Sequence, residues 1–459
     1  MSAEVVLRPG LAPLADWRAI YRGAAVSLDP VARADVEAGA AAIERIAAQG
    51  DGRLARSGNG APTLAEISQD GGTLPAAVTR LFVALKLASL AQGMSGVRWS
   101  VIQAVEGLLA NDTLPGIPAG NADDRIALSH LFAALTGAGE SGRREERTSL
   151  RLEPHERWAL VSGAQLSTAS ALAGLFEAER LFQSALVAAA LSFGALGGAS
   201  APLHPRVHRL LRQPGQIDVG HALRALRHPN GAHAAAKARN GGHANGTRST
   251  PFKMGACLDL LRQAGETLEK AANAVSEDRL VLWQTEEVVP GAEDSSSAVI
   301  ASDLIALALR EIGDLSERRI AALTGSAEPA GANGEEDRTA PPPRAAAFAA
   351  ENRERAAPVG FDAAGVRRLL PMAGTTALVL AVEFISAAKA LRAQPERADG
   401  PLAGIESRLG EVAGGSASGD DWTTASTLAA TAELVRSGAL AAVPGVDLPA
   451  AVPPPGRSI

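Results

Sequence analysis

The chain has 459 residues and a formal net charge of -6, so it offers no broad positive field and makes nucleic acid and anionic membrane poor default partners. Hydrophobic residues make up 46% but aromatics only 3%, and a composition resting on Ala, Leu and Val favours closely packed helices over sheet. Cys257 is the single cysteine, which excludes an intrachain disulfide and a zinc site built on several thiolates and fits a reducing cytoplasm.

Length alone suggests roughly three domains. The first ten residues lack a basic segment followed by an apolar stretch, so no secretory signal is predicted and the expected location is cytoplasmic. Residues 29–49 open with Asp29-Pro30 and carry apolar residues at helical spacing, which predicts an amphipathic helix. After a polar, Gly-rich stretch over 50–63, helical patterning resumes over 75–92 and 100–110. Pro115, Pro118, Gly116 and Gly120 mark 112–125 as a loop, and 126–135 is helical again. A charged break, 137–154, separates this N-terminal helical region (1–154) from a central one (155–400).

The central region begins with a predicted helix of about 30 residues over 165–196, near 45 Å long, with Leu172, Leu175, Phe176 and Leu186 among its apolar positions. The uncharged stretch 183–205 is long enough to span a bilayer. Its Ala, Gly and Ser content, and its continuity with a charged amphipathic helix, predict a buried bundle helix instead. The pattern repeats over 254–275, 300–323 and 370–391, interrupted by a Pro-, Gly- and Glu-rich insert at about 327–343 expected to be mobile. A Gly/Ser loop over 410–421, a helix over 423–440 and a Pro-rich tail complete a C-terminal segment (401–459). Such long apolar helices predict an all-α bundle that covers its flanks by oligomerising.

Several strings, in order along most of the chain, resemble the histidine and phenylalanine ammonia-lyase family. They are PAAVTRLFVALKLASLAQGMSGVR (75–98), QLSTASALAGLFEAERLF (165–182), PGQID (214–218), MGACLD (254–259), ANAVS (272–276), IGDLSERRI (312–320) and VRSGALAA (435–442). The resemblance implies a mainly helical protomer of the ammonia-lyase and fumarase-like type, whose long central helices pack into a tetramer. It also implies a chemistry in which an Ala-Ser-Gly loop cyclises to a methylidene-imidazolone, a tyrosine removes a β-proton and ammonia leaves.

The residues for that chemistry are missing. Asn121-Ala122-Asp123 stand where the triad belongs; Ala122 has no hydroxyl to eliminate, and Asp123 lacks the conformational freedom of the glycine whose amide closes the ring. Ala417-Ser418-Gly419 is a true Ala-Ser-Gly followed by Asp420, but it lies in the C-terminal Gly/Ser loop, so no cofactor is expected there either. The family uses two tyrosines and this chain has only Tyr21, outside both motifs. The first tyrosine loop falls near 50–60, and the second tyrosine's position is Asn245. Gln69 replaces a histidine, Ser162-Gly163-Ala164-Gln165 replaces Asn-Gly-Thr-Gln, Gly291-Ala292-Glu293-Asp294 replaces Gly-Asn-Phe-His, and a Gln-Glu-Asp loop is deleted between 352 and 371.

Arg248 matches the family's carboxylate-binding arginine, a task for which the planar guanidinium fork is suited. It could equally pair with Glu293 or Asp294 of its own chain. Gln165, His243, Asn245 and Asp294 complete the candidate binding set, His243 being either a base in a remodelled pocket or a solvated loop side chain. Asp123, Asp124 and Arg125 either form a polar site with Arg248 or a solvated turn. The spacings of His204, His208, His221, His228 and His233 give no metal site, Cys257 reads as core packing, and Ser162 lies in no nucleophile elbow. The expectation is a catalytically degenerate relative without the methylidene-imidazolone. It would act as a structural or regulatory subunit of a homo- or hetero-tetramer, with an active paralogue as the mixed partner. The alternatives are an enzyme, or an amino-acid or carboxylate binder, with a pocket rebuilt around Arg248.

Overall fold

The computed structural model describes residues 4–49, 72–120, 123–137, 150–196, 203–227, 249–325, 341–358, 363–393, 402–412 and 424–452. It is an all-α bundle with two small two-stranded sheets. Strands β1 (Glu4–Leu7) and β2 (Ala25–Leu28) pair in parallel, Val5 opposite Val26, across the short helix α1 (Leu14–Tyr21). Helices α2 (Ala32–Ala48), α3 (Ala76–Leu90), α4 (Trp99–Ala110), α5 (Asp124–Thr136) and α6 (Pro154–Val161) follow. The bundle proper starts with α7 (Gln165–Ala195), and short helices α8 (Pro205–Leu211) and α9 (Pro214–Arg227) turn the chain into α10 (Thr250–Ala272). A hairpin of β3 (Arg279–Leu282) and β4 (Glu287–Pro290) leads into α11 (Ser296–Thr324). Then come α12 (Pro341–Arg355), a 3-10 turn (Ala363–Arg368), α13 (Leu369–Arg392), α14 (Ala403–Val412) and α15 (Ala425–Ser437).

Contacts fix the helix directions. Gly174 lies against Leu369, and Ser192 Oγ donates to Glu383 Oε1 at 2.7 Å, a nearly constant sequence offset that makes α7 and α13 parallel. Arg368 meets Asp303 and Arg319 meets Glu383, which makes α11 parallel to α13 as well. Between α10 and α11 the residue numbers run in opposite senses, with Thr250 at Arg319, Lys253 at Glu311 and Cys257 at Ala308, so α10 is antiparallel. The starts of α7 and α11 are therefore level, and α13 begins roughly two turns further in.

Two of the matched strings owe their glycines to one helix crossing. A Cβ on Gly215 would lie 2.2 Å from the Gly255 carbonyl, and one on Gly255 would lie 2.5 Å from Gln216 Cα, so α9 and α10 touch backbone to backbone. Asp259 accepts from the Gly215 amide at 2.9 Å and Asp218 pairs with Arg262 at 2.7 Å, fixing the same crossing.

The predicted helices agree with α2 to α5, α7, α10, α11, α13 and α15 to within a few residues. Residues 341–343 are not part of a mobile insert: they form the first turn of α12, where missing amide hydrogens cost nothing. The predicted loop at 410–421 begins later, because α14 runs to Val412. The remainder of those two segments lies outside the described residues. Short elements without a sustained period (β1, α1, β2, α6, α8, α9 and the hairpin) have no counterpart in the sequence reading.

The long helices leave far less apolar surface uncovered than their patterning implied. Residues of α7 are buried along almost its whole length, and the exposed large apolar side chains among the described residues include Ile300 alone from the long helices. Two helical stretches, 154–195 and 365–392, are long and apolar enough to cross a membrane, but the apolar window of the first is wholly buried in the protein and that of the second 78% buried. Cys257 is 2% exposed, and burial pushes its thiol up to about 12, leaving a small hydrophobe.

Deep in the bundle Arg319 and Glu383, both fully buried, form a bidentate pair at 2.5 and 2.8 Å, with Ser192 as a further donor to the carboxylate. Removing either partner strands a charge without water. Glu383→Ala or Arg319→Ala should cost about 3–5 kcal/mol in urea unfolding, and a paired Arg319→Met/Glu383→Leu replacement should recover most of it. Additive losses in the paired variant would contradict this account of the bridge.

Candidate functional site

The end of the bundle where α7 and α11 begin brings together Asp123, Gln165 and Asp294 of the residues singled out by sequence. A helix start leaves its first amides without partners and carries the positive end of the macrodipole, so this end is electropositive and must be answered by acceptors. Both long helices are answered by carboxylates. Asp124 Oδ1 accepts from the Leu166 amide at 2.6 Å and the Ser167 amide at 3.1 Å, and its Oδ2 accepts from Ser167 Oγ. Asp294 Oδ1 accepts from the Ser296 amide at 2.9 Å and from Ser296 Oγ at 2.6 Å.

The two carboxylates work in different surroundings. Asp294 is exposed, and the Ser296 hydrogen bonds hold its carboxyl below the usual range. Asp124 is shielded by the protein, and desolvation raises its carboxyl above the ordinary 3.8 against the pull of its three hydrogen bonds. The residue before it, Asp123, is the N-cap of α5, its side chain accepting from the Ile126 amide at 2.7 Å. Two consecutive acids thus serve two different helices, Asp123 from an exposed position and Asp124 from a shielded one.

Gln165, the first residue of α7, is 4% exposed; its Nε2 donates to Ser276 Oγ at 3.1 Å, and its Oε1 has no hydrogen-bond partner among the described residues. Gly163, at φ 131, leaves no room for a Cβ beside that amide. Ser162, just before α7, is held through both its carbonyl and its hydroxyl. Its carbonyl accepts from Lys86 Nζ at 2.7 Å, and its hydroxyl accepts from the Asp278 amide at 2.7 Å.

Lys86 leads to a buried cluster that the sequence reading missed. Its ammonium also donates to Glu277 Oε1 at 3.1 Å, and Ser89 and Ser95 donate to the same carboxylate at 2.8 and 3.0 Å. Burial pulls the ammonium below the ordinary lysine range, opposed by the charge of Glu277. The cluster joins α3, the start of α7 and the β3–β4 hairpin, whose Val281 amide donates to the Met94 carbonyl at 2.7 Å. A signal was present: Lys86 interrupts the run LFVALKLASL, apolar on every side, and a charge in such a helix needs a buried partner.

Of the predicted residues, then, Gln165 and Asp123 flank the start of α7, and Asp294 heads the adjacent α11. Asn121, Ala122, His243, Asn245 and Arg248 lie outside the described residues, as do the first tyrosine loop, Gln69 and Ala417-Ser418-Gly419. Among the described residues no group of three or more His, Cys, Asp or Glu side chains could hold a metal ion.

The sequence profile of aromatic amino acid lyases matches residues 68–364 of the chain. Solved structures with the same fold include histidine ammonia-lyase from Trypanosoma cruzi, 23% identical, TM-score 0.78, covering 95% of this chain and 94% of that one. Tyrosine aminomutase from Streptomyces globisporus is 20% identical with a TM-score of 0.82, covering 97% and 100%. The ergothioneine-degrading ergothionase from Treponema denticola is 16% identical with a TM-score of 0.77, covering 96% and 100%. At these identities the likeness is one of fold.

The raised carboxyl of Asp124 has a measurable consequence. The folded protein holds that proton more tightly than the unfolded chain, so stability present at low pH is lost as pH rises from 3.8 through the folded-state value. Asp124→Asn has no such proton. Urea unfolding across that window should show the parent losing stability relative to the variant, with the difference constant above it; parallel curves throughout would refute the assignment.

Proposed function

The chain belongs to the aromatic amino acid lyase family, and from that premise we propose that it is a catalytically degenerate member, a structural or regulatory subunit of a lyase-type assembly. The observation that carries this reading is Tyr21, the one tyrosine in the chain. Its hydroxyl donates to Glu177 Oε1 at 3.1 Å and its ring packs on Phe176 at 5.7 Å between centroids. Burial, then the charge of Glu177, push its phenol far above the ordinary range. Glu177 lies about 18 Å along α7 from Gln165 at the helical rise per residue, so the only tyrosine is scaffold.

The electrophile position supports the same reading. The residue after Ala122 is a non-glycine N-cap, extended at φ -88 and ψ -179, held by its side chain to Ile126 and by its carbonyl to Ala127. The next residue is committed to α7 through three hydrogen bonds. Residues fixed in this way, with alanine at the eliminating position, do not fit the methylidene-imidazolone. The long helices of the scaffold, by contrast, are all present among the described residues, which suits a subunit that shapes or stabilises an oligomer. We take that oligomer to be a tetramer, of this chain alone or with an active paralogue.

Intact mass and near-ultraviolet absorbance test the reading directly. The purified chain should have its full sequence mass, and it should release no ammonia from histidine, phenylalanine or tyrosine. A mass two waters lower, mapped to 121–123 or 417–419, together with release of an unsaturated acid, would overturn it.

One observation favours a second reading, a carboxylate or amino-acid binder. The Oε1 of Gln165 is a buried acceptor without a donor among the described residues, and the ammonium of an amino acid would supply one. Arg248 is the residue of the chain that would hold the carboxylate. On that reading Arg248→Ala weakens binding of a small carboxylate such as histidine, measured by calorimetry, by about 1.5–3 kcal/mol with the thermal midpoint unchanged. A lower midpoint without any ligand effect would assign the side chain to an internal acid.

A further inference from the structure

Where α1 ends against α7, three guanidinium groups meet two carboxylates. Arg18 and Arg22 stand one turn apart at the end of α1, Arg22 as its C-cap, and Arg180 belongs to the stretch of α7 that α1 touches. The acids there are already engaged. Glu179, buried, accepts from Arg18 at 2.8 Å through Oε2 and from the Val452 amide at 3.1 Å through Oε1. Glu177 Oε1 accepts from the Tyr21 hydroxyl at 3.1 Å and lies 3.4 Å from Arg180 Nη1. Glu433 of α15 is paired with Arg436. Arg22 is left exposed, and among the described residues no carboxylate lies within ion-pair distance of it.

The field at Arg22 has the sign this count implies. Burial first, then the charges of Arg180 and Arg18, hold its guanidinium below the ordinary arginine range in spite of Glu179 and Glu177. The arginines therefore outweigh the acids at that point. Compensation of the helix end does not account for the excess, because the negative end of a helix is equivalent to roughly half a charge and Arg18 in the last turn of α1 already answers it. Arg180 is also loosely held. Its contacts, 3.3 Å to the Arg436 carbonyl and 3.4 Å to Glu177, are longer than the roughly 2.7–2.9 Å of a tight charge-assisted hydrogen bond, so its fork is free to turn to a better acceptor.

We propose that Arg22 and Arg180 together bind a phosphate group, free or as the monoester of a small metabolite, at the crossing of α1 and α7. Each planar fork can give two hydrogen bonds to a tetrahedral oxyanion, whereas the two oxygens of a carboxylate lie in one plane and satisfy a single fork. Arg18 stays with Glu179 and adds its charge at longer range. The site is separate from the start of α7, lying about 22 Å along that helix from Gln165 at the helical rise per residue. Occupancy ties α1 to α7, and with α1 the β1–β2 pair that it connects. One free guanidinium beside two half-buried ones makes no stripe that a nucleic acid backbone could follow. Nothing in this inference depends on whether the chain is catalytic.

Calorimetry and thermal unfolding of the full chain in chloride buffer, with inorganic phosphate or glycerol phosphate added, test the site. The parent should bind phosphate in at least one of these forms and gain a higher thermal midpoint from it, and the form bound more tightly identifies the source. Arg22→Gln and Arg180→Gln should each weaken binding by at least about tenfold, and Arg22→Lys should recover part of it as a point charge. Phosphate strengthens burial in any protein, so the rise that the Gln variants retain measures the general effect and the excess in the parent measures the site. In chloride alone the Arg22→Gln midpoint should be no lower than the parent's, since the charge removed has no internal partner. A parent that binds neither form, or binds as well after either Gln substitution, would overturn the site. Acetate binding as tightly at equal ionic strength would refute the phosphate assignment. A lower midpoint for Arg22→Gln in chloride alone would show the guanidinium engaged within the chain, and the proposal would fall.

Discussion

Two long parallel helices, α7 and α11, begin side by side at one end of the bundle, and the unmet amides of their first turns have to be answered. That constraint organises the site region. Water could serve an exposed start, but Leu166 and Ser167 are buried, and a buried orphan donor costs about 1–3 kcal/mol. Asp124 meets both amides and the Ser167 hydroxyl, accepting its own desolvation to do so. Asp123, bound to α5, fixes the direction from which Asp124 arrives. Asp123 and Asp124 thus hold α5 and the start of α7 together, and conformational freedom is what such a joint gives up.

Buried charges at two levels keep the same helices in register. Lys86–Glu277 ties α3 and the hairpin to the start of α7, and Arg319–Glu383 ties α11 to α13 about two turns from the opposite end. A buried pair is weak evidence for added stability, because desolvation consumes most of the attraction. It does penalise a slip, however, since any other register strands a charge in the core. The ties that set the register, Lys86–Glu277 and Arg319–Glu383, lie apart from residues 121–124 and from Tyr21.

Much of the fold was legible in the sequence because the long helices carry a sustained period. The ranges for α7, α10, α11 and α13 read from Leu172 to Leu391 agree with the structure within a few residues, and the strings PGQID and MGACLD prove to be the two sides of one backbone contact. Short elements were not legible. Four residues of β1 or seven of α8 are too few to establish a period, and the parallel β1–β2 pair is set by a contact across α1. Of the candidate site the sequence shows directly only which residues are present, such as Ala122 and a single tyrosine, Tyr21. The arrangement at the start of α7 depends on contacts between residues over forty positions apart, such as Asp124 with Leu166 or Lys86 with Glu277, and no local pattern records those.

The opposite polarity of the two ends has a reason inside a single protomer. Acids at helix starts and bases near helix ends both relieve the macrodipole. Asp124 and Asp294 stand at the starts of α7 and α11, while at the other end of α7 the Arg227 guanidinium lies 6.0 Å over the Phe193 ring. Compensation of this kind needs only a charge or two per helix, however. The exposed Arg206 and Arg209 lie on a separate short helix that Arg212 follows, and Leu210 beside them gains nothing from any dipole. Dipole compensation therefore accounts for which sign of charge sits at each end, and not for how much positive charge stands there among aliphatic side chains.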